Sequence, residues 1–287
     1  MIFVLVTGAT GFLGEYVVRN LIDAGIGVRV LVRKTSDVSL IGTSDVEICY
    51  GDLDKISTIE LALEDVDILI NLASLGYEYV PNIVEAAVNK GVERAIFVST
   101  TSIFSKLDTT TKFRRIQSEL IIAESGLLYT IIRPTMIYGS PRDRNIWRLI
   151  EFMEKWSFVP VIGGGTALQQ PVYVNDVAKC ILRTMVCDDS IRQSYNIAGL
   201  HSLSYLEIIN LIMTRMDVNV RKIYCPVIFA RIITELFGKI GLGITSEQIL
   251  RFSEDKVVDN SLAIQHLGYS PLDFGQGLEF ELQWLRK

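Results

Sequence analysis

Thr7-Gly8-Ala9-Thr10-Gly11-Phe12-Leu13-Gly14 stands directly after a short apolar run, Ile2–Val6, and directly before an amphipathic stretch, Glu15–Ala24. The three glycines divide the work of a phosphate-binding turn. Gly8 permits the sharp reversal out of the strand, Gly11 lets backbone N–H groups approach a pyrophosphate, and Gly14 lets the helix lie close to the strand. The positive end of the helix adds to the attraction. Strand, glycine turn and helix therefore agree on a dinucleotide site built from Gly8, Thr10, Gly11, Phe12, Leu13 and Gly14, with a purely structural turn as the alternative.

Working outward, apolar runs rich in β-branched residues recur at Val28–Val32, Val46–Tyr50, Ile68–Asn71, Ala95–Ser99 and Tyr129–Arg133, with amphipathic stretches between them. Continuous rather than alternating apolar strands predict a parallel sheet covered on both faces. Right-handed crossovers then make it a doubly wound, Rossmann-type α/β sheet. Past Pro134 the pattern loosens. Helices are expected near Asn145–Lys155, Asp176–Cys187 and Tyr205–Met216, and short strands at Val172–Val174, Ser194–Ile197 and Lys222–Tyr224. This predicts a dinucleotide-binding domain over 1–155 and a smaller mixed lobe over 156–287, some of whose segments pack back on the first. Pro226–Leu242 is strongly apolar, with Arg231, Glu235 and Lys239 on one helical face. It is expected to be a lobe-packing or dimer helix, with a membrane-surface role as the alternative.

The composition narrows the function. The chain has 287 residues, 49% of them hydrophobic, and a net charge of −5, which suits a self-folding globular protein and opposes a nucleic-acid partner. Four dispersed cysteines and two histidines predict neither a disulfide framework nor a metal site. The start lacks a basic leader and the uncharged stretch Trp156–Asn175 is broken by glycines and prolines, so a cytoplasmic protein without a membrane span is expected.

A carboxylate usually ends the second strand where the ribose diol of NAD is held, but here Arg33-Lys34 stand there. A cation at that spot would pair with a 2′-phosphate, which favours NADP(H) over NAD(H); a solvated charge pair is the alternative. After the third strand, Gly51-Asp52-Leu53 either offers a carboxylate acceptor to the adenine amino group or simply starts a helix.

These residues carry a resemblance. Thr7–Gly14, Gly51-Asp52-Leu53, Asn71–Ser74, Phe97–Thr101, Arg133–Gly139, Gly163–Gly165, Val172–Ala178 and Leu267–Pro271 occur in the order and spacing of the extended and atypical short-chain dehydrogenase/reductase superfamily, its epimerase/dehydratase group. The resemblance spans nearly the whole chain. It implies that Leu72, Ala73 and Ser74 line the ribose side, that Ser99 lies under the nicotinamide, and that Pro134 and Thr135 hold the carboxamide end. Thr101 matches the active-site Ser/Thr, and Asp176 matches the aspartate of its motif, expected to cap or stabilise its own helix.

The match breaks at the family's Tyr-x-x-x-Lys pair, whose positions are held by Thr111 and Arg115. An aliphatic hydroxyl titrates far above a phenol, and Arg115 can bind ribose but cannot donate a proton at neutral pH. Tyr77, Tyr79 and Tyr138 are candidates for a relocated donor, with packing as the alternative. Lys106, Asp108 and Lys112 are expected to be solvated charges, and Cys180 and Cys187 core residues. Two functions follow: an NADP-dependent reductase or epimerase/dehydratase-type oxidoreductase lacking the usual pair, or a dinucleotide-binding accessory or redox-responsive protein without turnover. Nucleotide sugars, flavonoid-like ketones, quinones and small aldehydes stay open as the small-molecule substrate, and a helix-pair homodimer would be ordinary for the family.

Overall fold

The computed structural model describes residues 2–42, 45–226, 228 and 254–286. Its centre is a seven-stranded sheet built from β1 (Phe3–Thr7), β2 (Gly27–Val32), β3 (Val46–Tyr50), β4 (Ile68–Asn71), β5 (Arg94–Val98), β6 (Tyr129–Pro134) and a later strand, Gln193–Ile197. The order is that later strand, then β6, β5, β4, β1, β2 and β3, and every pairing is parallel. The expected doubly wound sheet is thus observed. Its central strands, Phe3–Thr7 and Ile68–Asn71, are buried almost throughout because helices cover both faces.

One face carries α1 (Phe12–Asp23) and α6 (Val174–Val186), which pack on each other and on Val4, Val6, Val30 and Ile70. The other face carries α2 (Ile56–Ala62), α3 (Val80–Asn89) and α4 (Thr110–Glu124), over Leu5, Leu69 and Phe97. Leu21, Ile70 and Phe97 are wholly buried, and fully burying a side chain of this size stabilises by roughly 1.5–3 kcal/mol. A third cluster lies beyond the sheet. There α5 (Ile146–Lys155), α7 (Tyr205–Met216) and α9 (Phe274–Leu282) surround Tyr138, Trp147, Ile150, Val159, Ile209 and Leu278.

The later segments are shared between the two bodies. Gln193–Ile197 extends the main sheet along β6, and α8 (Ser261–Leu267) packs on that strand. The short strands β7 (Ile137–Tyr138) and β9 (Val172–Tyr173) pair in parallel, as do β8 (Phe158–Ile162) and β10 (Arg221–Cys225). Pro226–Leu242, apart from Pro226 and Ile228, lies outside the described residues. Among the described residues no helix is long and apolar enough to cross a membrane, and no group of His, Cys, Asp and Glu could hold a metal ion.

Candidate functional site

Parallel register brings the carboxyl ends of the strands to one edge: Thr7 stands level with Leu31 and Asn71, and Val98 with Ile132. Chain direction alone therefore gathers Gly8–Gly14, Arg33, Lys34, Asp52, Leu53, Leu72–Ser74, Ser99 and Pro134-Thr135 along that edge. The crevice opens where β2 leaves β1 on one side and β4 flanks it on the other, the place where open α/β sheets take ligands.

The glycines fit the turn closely. Gly8 has φ +71°, and a Cβ there would lie 2.7 Å from the Ala73 nitrogen and 2.8 Å from the Leu72 carbonyl carbon. At Gly14 a Cβ would meet the Ala9 carbonyl oxygen at 2.3 Å and that of Gly8 at 2.5 Å. The helix can therefore sit against the turn only without side chains there. The Gly11 N–H donates to the Gly8 carbonyl (3.0 Å) and closes the loop. Beneath it, the buried Thr7 hydroxyl donates to the Asn71 amide oxygen (2.6 Å), tying β1 to β4.

Just past the end of β2, Arg33 and Lys34 are exposed and neither makes an ion pair among the described residues. The Asp52 carboxylate accepts the Asp54 N–H (3.1 Å), a local turn that leaves its second oxygen to an outside donor. A residue not anticipated from sequence also lies here: Arg142 donates to the Thr10 carbonyl (2.6 Å) and pairs with Glu15 (3.2 Å).

At the other end Ser99 closes β5. Its N–H is taken by the Ile132 carbonyl (2.7 Å), but its buried hydroxyl has no hydrogen-bond partner. An unsatisfied buried hydroxyl costs about 1–3 kcal/mol, and a carboxamide or ribose oxygen laid against it would remove that cost. Thr135 is more committed: its N–H goes to the Ile197 carbonyl and its hydroxyl to that of Gln170. The Thr101 hydroxyl donates to the Pro134 carbonyl (3.3 Å).

Thr111 and Arg115 share α4, whose N-terminus is capped by the Thr109 hydroxyl. Thr111 is exposed and its hydroxyl lies 3.2 Å from that of Thr109, so it faces the cap. Arg115 reaches inward. It donates to the Ser102 hydroxyl (2.9 Å), and its guanidinium passes beside Gly76 and Ser74. It thus places a permanent positive charge among the residues expected to line the ribose. The ion pair Arg133–Glu119 (2.5 Å), largely sheltered from solvent, ties α4 to β6, with Phe104 under the guanidinium.

The tyrosine alternatives resolve structurally. Tyr138 is wholly buried, its hydroxyl donates to the Phe274 carbonyl (3.3 Å), and burial drives its pKa upward. It packs in the third core and does not face the crevice. The Tyr79 hydroxyl donates to the Ser74 carbonyl (2.8 Å) and burial pushes its pKa up to about 12. Tyr77 is exposed and stacks on Tyr79 at 5.6 Å.

One other expectation is corrected. Lys112 is no solvated charge: it bridges the Ser105 carbonyl (2.7 Å) and Asp108 (3.1 Å). Asp176 sits in the first turn of α6, where a carboxylate suits the helix dipole; it makes no side-chain cap there but accepts the Leu272 N–H (2.8 Å) and so also anchors the C-terminal tail. Cys180 is buried as expected.

Next to Thr101 lies a cleft of about 320 Å³, walled by Thr100–Ser102, Phe104, Ser105, Thr135, Met136 and Asn145 on one side and residues 254–258 on the other. Glu254 closes it by accepting the Ser105 hydroxyl (2.7 Å) and the Lys106 N–H. A dinucleotide on the sheet edge and a small molecule in this cleft would meet near Ser99.

Comparison with known proteins agrees with this geometry. Among relatives, the chain is 27% identical over 315 residues to the mitochondrial NADH dehydrogenase (ubiquinone) 1 alpha subcomplex subunit 9 of Arabidopsis thaliana, covering 97% of this chain and 77% of that protein. It is 26% identical over 227 residues to the chloroplastic divinyl chlorophyllide a 8-vinyl-reductase of Cucumis sativus, covering 68% of this chain and 52% of that one. With the Photosystem II assembly factor Ycf39 of Trieres chinensis it shares 23% identity, across 90% of this chain and 83% of that one. The solved structure of a UDP-glucose 4-epimerase from Thermotoga maritima shares its fold, with TM-score 0.82 and 18% identity over 99% of both chains. A dTDP-glucose 4,6-dehydratase from Streptomyces venezuelae, solved with NAD bound, gives TM-score 0.78 and 19% identity over 99% of this chain and 97% of that one. A family model described as NAD(P)H-binding matches residues 8–156, just over half of the 287, and, in accord with the glycine turn and the parallel sheet, it shows that the chain belongs to that NAD(P)H-binding family.

Proposed function

We propose that the protein binds NADP(H) in preference to NAD(H) along the carboxyl edge of the sheet. On this reading it acts as a reductase or epimerase/dehydratase-type oxidoreductase on a small molecule in the adjoining cleft, without a tyrosine proton donor. The observation that carries the reading is the partnerless buried hydroxyl of Ser99, set between the sheet edge and the cleft. The exposed Arg33, at the end of β2 where a diol-binding carboxylate is missing, supports the 2′-phosphate preference. A bound nicotinamide would supply the hydride chemistry. The chain's own part would be to hold the pyrophosphate on the amides of Phe12 and Leu13, orient the ribose with Arg115, and seat the carboxamide against Ser99. The vinyl-reductase relative fits a catalytic reading.

A second reading, binding without turnover, is favoured by one arrangement: Thr111 faces its own helix cap, and neither Tyr79 nor Tyr138 has a proton free for the cleft. The relatives named as a subunit of NADH dehydrogenase and as an assembly factor fit it. Fluorescence titration with NADPH and NADH, beside Arg33→Ala, tests the shared premise. The native chain is expected to prefer NADPH and the variant to lose that preference, and equal native affinities refute the NADP(H) assignment. Turnover then separates the readings: NADPH oxidation is expected to be slow on generic carbonyls, and brisk turnover refutes the non-catalytic one.

A further inference from the structure

The cleft beside Thr101 is lined unevenly, and its lining selects among the small molecules that the sequence leaves open. Its charged groups among the described residues are Glu254, Asp255 and Lys256, so the wall carries one net negative charge. Two cations stand nearby without lining it. Arg133 is neutralised by Glu119 (2.5 Å), and Arg115 lies beside Ser74 and Gly76, behind Ser102. The helix α5 starts at the cleft residue Asn145, yet the N–H groups of Asn145, Ile146 and Trp147 all go to the Asp143 carboxylate. The helix end that could otherwise hold a phosphate is thus already filled by an anion. A diphosphate brought here would lose its water without gaining a bidentate cation or a free set of amides.

What the cleft offers instead is apolar surface and a few protons. Phe104, Met136, Val257 and Val258 line it. Phe104 is 53% exposed and Val257 47%, so both leave apolar area in water that a ligand would cover. The Phe104 ring is held by the Arg133 guanidinium, 5.6 Å from its centre, and Glu119 holds that guanidinium in turn. A ring fixed in this way is a platform for another flat ring. The polar groups beside it are hydroxyls. Those of Thr101, Thr135 and Ser105 are spent on the Pro134 and Gln170 carbonyls and on Glu254. Those of Thr100 and Ser102 only accept among the described residues, from the Ser102 N–H and from Arg115, so each keeps a proton for an oxygen in the cleft.

We propose that the cleft takes an uncharged, ring-bearing carbonyl compound, stacked on Phe104 with its oxygen toward Thr100 and Ser102, and excludes nucleotide sugars. The proposal rests on the reading of this cleft as the substrate side of the dinucleotide site, and it makes Phe104 the specificity-determining residue there. The volume of about 320 Å³ lies at the small end of ligand pockets, in keeping with a molecule of one or two rings.

The test uses the full chain, saturated with whichever of NADP+ and NAD+ it binds tighter, and two probes titrated by calorimetry: the neutral bicyclic ketone chromanone and UDP-glucose. Chromanone is expected to bind and UDP-glucose to give no heat. Phe104→Leu keeps apolar bulk but loses the flat ring. It should weaken chromanone binding about tenfold at unchanged dinucleotide affinity, which also reports that the variant is folded, and Phe104→Tyr should keep most of the chromanone affinity. UDP-glucose binding tighter than chromanone overturns the proposal. So does a dinucleotide-loaded chain that binds neither probe, or a chromanone affinity indifferent to Phe104→Leu. A chain that takes up neither dinucleotide overturns the underlying reading and this proposal with it.

Discussion

Glu281 on α9 is wholly buried and Asp143 nearly so. Neither Glu281 carboxyl oxygen has a well-formed hydrogen bond, and the groups that bear on it are Asp143 and the Gly139 N–H. Burial, then the Asp143 charge, raises the Glu281 pKa; burial also raises that of Asp143, against the pull of the three N–H groups it accepts. Since those N–H groups favour a carboxylate on Asp143, the shared proton resides on Glu281. Once the pH exceeds the ordinary carboxylate range, the native protein carries a proton that the unfolded chain has released. Native stability must then fall as pH rises, until the Glu281 proton leaves the native state as well. One such proton is worth about 1.4 kcal/mol per pH unit, so about 3 kcal/mol disappears between about pH 5.5 and about pH 7.5. Glu281→Gln fixes the neutral form without changing the shape, and its amide can donate to Asp143. Urea denaturation at three pH values is the assay: stability of the native protein should decline with pH by about that slope relative to the variant. Parallel stability–pH lines for the two proteins would refute the shared proton.

Three further outcomes are expected. Arg94, buried at the amino end of β5, donates to Thr130, to the carbonyls of Leu128 and Thr184, and to Ser190. Arg94→Ala removes the charged donor of this buried cluster and leaves a cavity at the edge remote from the phosphate turn, so it should lower stability by about 3 kcal/mol in urea denaturation without changing the dissociation constant for NADPH at a temperature where the variant is folded. Gly8→Ala forces a methyl group to 2.7 Å from the Ala73 nitrogen at φ +71°, which should cost about 1–3 kcal/mol in thermal unfolding and abolish measurable NADPH binding. Arg115→Ala should weaken NADPH binding about tenfold in fluorescence titration, while Arg115→Lys keeps most of it.

The parallel sheet and the phosphate turn were legible in the sequence because both write themselves locally. A strand buried on two faces is an unbroken apolar run, and a turn that must approach both a helix and a ligand has to be glycine at fixed spacing. What stayed hidden depends on partners far along the chain. Gln193–Ile197 reads as a strand, but nothing in its five residues says that it lies in parallel on Thr130–Pro134 and extends the main sheet. Tyr138 lies within the motif that ends at Gly139, and its orientation is set by Phe274 and Gly277, more than a hundred residues later; a Cβ on Gly277 would sit 2.0 Å from the Tyr138 hydroxyl. Asp176 has the sequence position of a helix-stabilising acid, yet its partner is Leu272. Arg142 looks like one more loop charge until the fold lays it across Thr10.

The exchange of a Tyr–Lys pair for Thr111 and Arg115 separates two tasks that one helical turn ordinarily combines. Lysine both binds ribose and, by its charge, lowers the pKa of the adjacent phenol. On the proposed reading an arginine at that place would keep the first task, and here it adds a bond to Ser102, but with Thr111 turned to the helix cap the second has nothing to act on. Binding and proton delivery are then controlled by different parts of the molecule. Affinity should follow Arg33, Arg115 and the glycines at the sheet edge, while any proton transfer must be arranged within the cleft that Glu254 closes. Variants along that cleft, such as Glu254→Gln, should therefore alter turnover at unchanged NADPH affinity. Should Glu254→Gln instead weaken NADPH binding as much as Arg115→Ala does, the two tasks would still be joined and this division would be wrong.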